Sequence, residues 1–333
     1  MQGIKLNNKY YGVYKNTKCY GIKNEDLDVP LHFIALEDNS SVGYTITGTS
    51  INPDIKYSND MSTWNSWDGT DITLNTNDVV YIKGNNPNGL NISTANYVRF
   101  IMSGKIKASG NINSLLDNNC GNTITTIPSS CYVLLFYNCT SLIYPPALPA
   151  TTLEQNCYYG MFRGCTSLVE APNLPATNLA DYCYYYMFYG CTSLVIAPDL
   201  PATNLARYCY SYMFRGCTSL INAPTLPATT LINYCYYYMF AGCTSLINAP
   251  ELPAATLVDD CYGYMFKDCT SLNYVKTAFT GDFRTSAGGW GGTYDYTTSW
   301  LSGVSSTGDF YYNGETIRRG VSAIPTDWTV HTF

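Results

Sequence analysis

A pair of cysteines recurs every 26 residues in this 333-residue chain, and this recurrence constrains the fold more than any other feature. The first cysteine of each pair is Cys131, Cys157, Cys183, Cys209, Cys235 or Cys261. The second follows eight residues later, at Cys139, Cys165, Cys191, Cys217, Cys243 and Cys269. Twelve of the 14 cysteines belong to this register. A fixed period of this length predicts a solenoid, in which each unit buries its apolar side chains against its neighbours.

The repeated unit is dense in aromatic residues, as in DYCYYYMFYGCTSL at 181–194. Because similar stretches recur in the other units, we interpret most of these rings as scaffold and not as a single ligand site. Leu179, Cys183 and Met187 are four residues apart, which predicts one face of a short helix. Gly190 stands where such a helix favours a left-handed residue. A brief strand ended by prolines is expected to follow.

The repeated cysteines are predicted to be free, buried thiols that stack in two columns and act as small apolar side chains. Eight helical residues would separate the two cysteines of a unit by about 12 Å, which is too far for a disulfide. Bridges between stacked units are feasible by distance, but they would pair neighbours and break the uniform register. Zinc is disfavoured because neither histidine nor a close CxxC pair accompanies these cysteines. Free thiols are consistent with assembly in a reducing cytoplasm.

Two rows of positions differ between the repeats and are candidate ligand-binding residues. The row beside the predicted strand is Tyr144, Glu170, Ile196, Asn222, Asn248 and Tyr274. The row outside the predicted helix includes Tyr159, Arg163, Tyr185 and Tyr189, with equivalents at Ser211, Arg215, Tyr237, Ala241, Gly263 and Lys267. Tyrosine rings can stack on sugars or on partner side chains at small entropic cost. The alternative is that these positions vary because nothing constrains them.

The segments outside the repeats predict a chain of four parts. Residues 28–117 read as short strands separated by Asn, Gly and Asp turns, which predicts an immunoglobulin-like β-sandwich. Residues 118–275 form the solenoid, and the aromatic segment 276–333 is expected to cap it. The predicted fold class is therefore β-rich with short helices: an immunoglobulin-like sandwich, a leucine-rich-repeat solenoid of six 26-residue repeats, and a C-terminal cap.

Residues 1–27 contain a second, smaller repeat. NKYYGV at 8–13 and TKCYGI at 17–22 match at four positions, and we expect the two segments to pair as a hairpin. A single hairpin is too small to be stable alone, so it is predicted to attach to another protein. The alternative is a frayed terminus. The first residues also lack the apolar core of a signal peptide, so we expect either a protein that was never secreted, which is the favoured interpretation, or one whose signal has been removed and replaced.

Composition and motifs argue against most enzyme classes. Only 13% of the residues are charged and the net charge is -6, which disfavours a nucleic-acid groove. No apolar run approaches the roughly 20 residues that span a bilayer. His32 and His331 stand in no catalytic or metal-binding motif, and no zincin, nucleophile-elbow, Walker or dinucleotide-binding pattern occurs. We therefore expect no catalytic residues, no cofactor and no metal.

The unit MF-x-GCTSL-x-x-AP-x-LPAT-x-L-x-x-CY resembles the BspA-like branch of leucine-rich repeats over residues 127–275. Those repeats carry an AF-x-x-C-TSL core in surface antigens of gut bacteria. The segments IKYSND…TWNSWDG and TSWLSGVSSTGDFYYN…IPTDWTV also resemble regions that accompany such repeats in surface proteins of Bacteroidetes and in structural proteins of their phages. Two departures are Met-Phe where many relatives have Ala-Phe, and the absence of a secretion signal.

The resemblance implies a non-enzymatic phage virion protein, a fibre or tail component assembled in the host cytoplasm. Its N-terminal segment would bind other virion proteins, and its repeat surface would bind a host-surface glycan or protein, or neighbouring subunits. A homo-oligomer such as a trimer is compatible with this role, whereas nucleic-acid binding and membrane insertion are not expected. The alternative is an adhesin on the bacterial cell surface. A third hypothesis is a glycan-cleaving enzyme, which would need two carboxyl groups across a cleft.

Overall fold

The computed structural model describes residues 27–118, 124–279, 295–314, 319–320 and 322–332, together with the backbone of four short strands before residue 27. These residues form several small β-sheets, none of which closes into a barrel. In the same ranges only one α-helix occurs, α1 at Ser114–Asp117. The prediction of a β-rich chain is confirmed, but the predicted short helices of the repeats are wrong.

The N-terminal segment forms two separate pairs of antiparallel strands. They are β1 (Ile4–Leu6) with β2 (Lys9–Tyr11), and β3 (Tyr14–Lys15) with β4 (Lys18–Cys19). Each repeated segment therefore contributes a strand to a different pair, and the four described strands include no pairing between the two segments. Connections of two residues favour such local pairing.

Two antiparallel sheets follow in the N-terminal half. Their strands are β5 (Leu31–Ala35), β6 (Ser40–Thr47), β7 (Ile55–Ser58), β8 (Asn65–Ser66), β9 (Ile72–Leu74), β10 (Val79–Gly84), β11 (Tyr97–Ser103) and β12 (Ile106–Ser109). One sheet has the order β12-β5-β10-β7-β8, and the other has the order β11-β6-β9. Side chains alternate between buried and half-buried along β10, as expected for a strand with one face on a core. Phe33 of β5 meets Phe100 of β11 with ring centres 5.0 Å apart, so the two sheets share one core.

The tyrosine-rich half of each repeat is a chain of tight turns. Its main-chain N–H groups alternate between two kinds of partner. Cys183 N donates to Ala180 O, three residues back, at 3.3 Å, whereas Tyr184 N donates to Cys209 O of the next repeat at 3.1 Å. An α-helix would need each N–H to reach the carbonyl four residues back. The helix predicted around Cys183 is replaced because half of these donors bond to the neighbouring repeat.

Every fourth residue of the turn chain has a left-handed backbone. In one repeat these residues are Tyr182 (φ 61°), Tyr186 (φ 60°) and Gly190 (φ 72°). The chain therefore returns to the same side every four residues. Cys183 and Met187 both face the core for this reason, with no helix present.

A second ladder joins the repeats on their opposite side. It begins where β14 (Leu142–Tyr144) pairs in parallel with β12, so the sheet of the N-terminal half continues into the repeats. Val169 N donates to Ile143 O of β14, and single-residue parallel bridges then run from Glu170 to Tyr274 in β16 (Tyr274–Lys276). β16 pairs in parallel with β17 (Asp309–Tyr312), which pairs in parallel with β18 (Thr329–Thr332). A shorter parallel pair, β13 (Thr126–Ile127) with β15 (Thr152–Leu153), begins a further ladder. The repeats are thus stacked and hydrogen-bonded to one another.

Columns of identical buried side chains fill the interior. The phenylalanine column runs through Phe136, Phe162, Phe188, Phe214, Phe240 and Phe266, with neighbouring ring centres 5.3 to 5.7 Å apart. Phe100 of the N-terminal half stands at one end of it, 5.2 Å from Phe136. Trp300 stands at the other end, 6.3 Å from Phe266. The stack therefore continues into the flanking segments, and both ends of its core are closed by aromatic rings.

The C-terminal segment continues the hydrogen-bonded stack beyond the last cysteine pair. Tyr262 N donates to Tyr296 O, and Phe266 N donates to Trp300 O, in the same pattern that joins the repeats. The Trp300 indole N–H then donates to Ala323 O at 3.0 Å. In the residues that the structure describes, no helix has the length and apolarity needed to cross a bilayer.

Candidate functional site

The repeated cysteines belong to the core. All twelve are free and buried, which confirms the prediction made from their register. The second thiol of each repeat donates a hydrogen bond to a phenylalanine carbonyl in the preceding layer, as Cys191 Sγ does to Phe162 O at 3.1 Å. Burial raises the pKa of the Cys131 and Cys139 thiols to about 12. Thiols held neutral and away from solvent are poor nucleophiles, so the recurring residues supply packing.

The first predicted row lies on the ladder side of the stack. Glu170, Ile196, Asn222, Asn248 and Tyr274 follow one another through parallel bridges, and Tyr144 lies in β14 at the start of the row. Glu170 and both tyrosines are partly buried, whereas the three residues between them are exposed. Burial raises the pKa of the Glu170 carboxyl, and nearby Lys107 opposes that shift. The structure therefore brings all six positions onto one line of the surface.

An exposed aliphatic column runs beside this row and was missed by the sequence analysis. It consists of Val169, Val195, Ile221 and Ile247, whose exposed fractions are 36 to 45%. Each is the residue just before a member of the first row, and they were overlooked because β-branched residues beside a strand indicate a core. The bridged pairs are single residues, so the alternation that would bury one of two neighbours is not maintained.

A depression of about 400 Å³ lies at the C-terminal end of the first row. Asn248 and Tyr274 line it, together with Asp309 of β17 and Thr329 of β18. The Asp309 carboxylate is 2.7 Å from His331 Nε2, and the His331 ring stacks on Tyr311 at 4.5 Å. The depression is polar, and the one carboxylate in its described lining, Asp309, is already engaged by His331.

The second predicted row lies on the turn side of the stack, which we call the turn face. Tyr159, Tyr185 and Tyr189 are half-buried there, and Tyr159 stacks on Tyr185 with ring centres 5.1 Å apart. The structure adds two stacked columns that the sequence analysis assigned to scaffold. They are Tyr182, Tyr208 and Tyr234, at 4.7 to 4.8 Å, and Tyr186, Tyr212, Tyr238 and Tyr264, at 4.3 to 4.9 Å.

These stacked columns set the chemistry of the turn face. Most of the rings lie nearly parallel to their neighbours, with interplanar angles of 5 to 11° for every stacked pair except Tyr186 with Tyr212. Ring faces are therefore covered largely by other rings, and each of these tyrosines is half-buried. Partial burial raises the pKa of Tyr212 to about 12, so its hydroxyl remains a hydrogen-bond donor at neutral pH.

The cationic side chains of the repeats are gathered on this same face. Between residues 124 and 275 the sequence has four of them: Arg163, Arg207, Arg215 and Lys267. Each lies over at least one tyrosine ring, at 5.1 to 5.9 Å from the ring centre. In the described part of the chain none of the four is within 4.0 Å of a carboxylate. The turn face is thus aromatic and carries both kinds of charge, since Asp181 Oδ1 accepts a hydrogen bond from Arg207 N at 2.9 Å and Asp268 adjoins Lys267.

A second depression, of about 220 Å³, lies on the turn face. Tyr189, Arg215, Tyr238 and Lys267 line it, with the exposed Asp268 at its edge. Two left-handed glycines, Gly216 and Gly242, form part of its lining and leave it open because they have no side chain. The depression offers two cations and two phenol rings to a ligand.

Neither face carries an arrangement typical of a catalytic or metal centre. In the residues described, no group of three or more His, Cys, Asp or Glu side chains is placed to hold a metal ion. No family model, curated protein or solved structure matches this chain. The candidate functional sites are therefore the first row and the turn face.

Proposed function

We propose that this chain is a non-enzymatic recognition protein of a phage virion, a fibre or tail component. In this proposal an immunoglobulin-like sandwich and a leucine-rich-repeat solenoid of the BspA-like type form a rigid support. The repeat surface binds the host surface or neighbouring subunits, and the first 27 residues bind other virion proteins. The resemblance of both flanking segments to phage structural proteins supports the virion assignment.

One observation carries the recognition role. The side chains that recur most faithfully, such as Cys183, Phe188 and Cys191, are fully buried, whereas most of the positions that differ lie on two solvent-facing sides of the stack. The predicted turn-face positions Ser211 and Ala241 are exceptions, because both are buried. A core that is the same in every layer can carry different surface residues without a change in backbone. This separation is typical of repeat proteins that bind through an extended surface.

The proposal is tested by locating the protein. Mass spectrometry of purified phage particles should detect it, and its removal from the phage should abolish adsorption to host cells. Deletion of residues 1–26 should prevent incorporation into particles while the isolated chain keeps its far-UV spectrum. Detection in cell envelopes and not in particles would contradict the virion assignment and favour the adhesin alternative.

A further inference from the structure

The turn face carries a second regularity beyond its tyrosine columns. Successive repeats place Tyr137, Arg163, Tyr189, Arg215, Ala241 and Lys267 at one position. A cation therefore occurs in every second repeat, and the first two cations are separated by a tyrosine. We call Arg163, Arg215 and Lys267 the cation column.

The distances between these side chains give the spacing of the charges. The Arg163 and Arg215 guanidinium carbons lie 5.2 and 5.6 Å from the centre of the Tyr189 ring, so they are no more than about 11 Å apart. Stacked strands are about 4.8 Å apart, so two repeats advance by about 10 Å. This spacing of about 10 Å lies within the upper limit of about 11 Å set by the two distances to Tyr189. The cation column is therefore a line of positive charges at regular intervals along the stack.

We propose that the cation column and the adjacent tyrosines bind a linear anionic polysaccharide that has one acidic group per disaccharide. In an extended chain of this kind the acidic groups recur at nearly the same interval as the cations. The arginine fork suits a carboxylate or a sulfate, and the tyrosine hydroxyls suit sugar hydroxyls. The inference deepens the proposed function, on which it rests, by naming the chemical class of the host-surface ligand.

Two features of the face favour this ligand. Among the residues that the structure describes, no carboxylate lies within 4.0 Å of the side-chain nitrogens of Arg163 or Arg215, so binding an anion there breaks no described salt bridge. Their position over Tyr186, Tyr189 and Tyr238 orders them before the ligand arrives, which reduces the entropy lost on binding. The exposed carboxylate of Asp268 opposes an anion beside Lys267, so the segment from Arg163 to Arg215 should contribute most.

A single-stranded nucleic acid is the main competing polyanion, and the ring geometry disfavours it. Single-strand binders offer aromatic faces on which bases stack. Here Tyr212, Tyr238 and Tyr264 stack on one another at 4.3 to 4.9 Å, so their faces are occupied. Their hydroxyls can donate and accept hydrogen bonds, but the stacked ring faces cannot form a stacking platform.

Calorimetry on the full chain tests the inference. The probes are a hyaluronan hexasaccharide and a chondroitin sulfate hexasaccharide, with neutral chitohexaose as the matched uncharged chain and oligo-dT as the competing polyanion. We expect at least one acidic hexasaccharide to bind about tenfold or more tightly than chitohexaose and oligo-dT, and its affinity to fall as salt is raised. Arg163→Gln with Arg215→Gln should weaken that binding by about tenfold or more. Arg215→Lys should have a smaller effect, since it keeps the charge but loses the fork.

Lys83→Gln is the matched control, because it removes a cation that lies 4.1 Å from the Trp64 ring in the N-terminal half. It should leave the affinity unchanged within about twofold, a difference of roughly 0.4 kcal/mol. Equal binding of chitohexaose, tighter binding of oligo-dT, or failure of both acidic probes to bind would overturn the inference. Neutral glycan binding that still requires the turn face would leave the recognition role standing, whereas absence from particles would remove the virion assignment alone.

Discussion

Raising the pH should unfold the repeat stack through its buried thiols. The ordinary pKa of a cysteine is about 8.5, and burial raises the pKa of Cys131, Cys139 and Cys209 to about 12. The other repeated thiols shift in the same direction for the same reason, as Cys157 and Cys183 show. Because the folded pKa is raised, the stabilisation is complete below pH 8.5 and is lost as the pH rises toward the folded value.

The size of the effect follows from the number of thiols. At pH 8.5 each thiol of the unfolded chain is half ionised, which favours unfolding by about 0.4 kcal/mol. At pH 9.5 ionisation of each thiol in the unfolded chain favours unfolding by about 1.4 kcal/mol, whereas the folded thiols remain protonated. Twelve thiols together then contribute about 17 kcal/mol, which exceeds the roughly 5–15 kcal/mol that stabilises an ordinary domain. The stack should therefore unfold between about pH 8.5 and 10.

Urea titrations at pH 7.0, 8.5 and 9.5, in a reductant that prevents thiol oxidation, measure this effect. The urea midpoint should fall at each step, and the far-UV signal should return when the sample is brought back to pH 7. Absorbance of ionised tyrosine distinguishes the causes, since the buried Tyr184 and Tyr236 should ionise only after unfolding. An equal urea midpoint at pH 7.0 and 9.5 would refute the reasoning.

Three further outcomes are expected. Peptide mapping after iodoacetamide treatment at pH 7.5 should find Cys183 unlabelled in the native chain and labelled in urea; rapid native labelling would contradict its burial. Phe188→Ala should lower the free energy of unfolding by about 3–5 kcal/mol, whereas Tyr189→Ala on the turn face should cost less than half as much, as measured by urea midpoints; equal losses would argue against the core column. Gly190→Ala should cost about 1 kcal/mol through its left-handed backbone alone, and Gly110→Ala should cost more, because its new methyl group would also overlap the backbone carbonyl of Pro30; thermal melts that rank them the other way would exclude this explanation.

The cysteine register was sufficient to predict the stack, its free thiols and the first surface row. The second row was predicted only in part, because Ser211 and Ala241 are buried. It was not sufficient to predict the backbone of the turn chain. Cys183 and Met187 are four residues apart, and this spacing is shared by an α-helix and by turns that repeat every four residues. Gly190 is compatible with either. A left-handed backbone is rare for tyrosine, so the residue type did not predict the left-handed backbone at Tyr182 and Tyr186.

Recurrence was also an incomplete guide to burial. Tyr184 and Tyr186 both recur in neighbouring repeats, yet Tyr184 is buried and Tyr186 is half-exposed. Identical rings can stack along a surface as well as in a core, because each ring is covered mainly by its counterpart in the next layer. The surface columns on the turn face were therefore hidden among residues that were interpreted as scaffold. The cation column was visible only once the structure placed Arg163 and Arg215 on one face, with no described carboxylate within 4.0 Å of either guanidinium.

The direction of the hydrogen bonds between repeats has a mechanical consequence. Bonds such as the one from Tyr184 N to Cys209 O run along the length of the stack, so a pulling force on the two ends loads them one layer at a time. A repeat occupies about 4.8 Å of stack height, but its 26 residues span about 90 Å when extended. Under tension the molecule should lengthen in discrete steps of roughly 85 Å. Each step corresponds to the extension of one repeat while the remaining repeats stay folded.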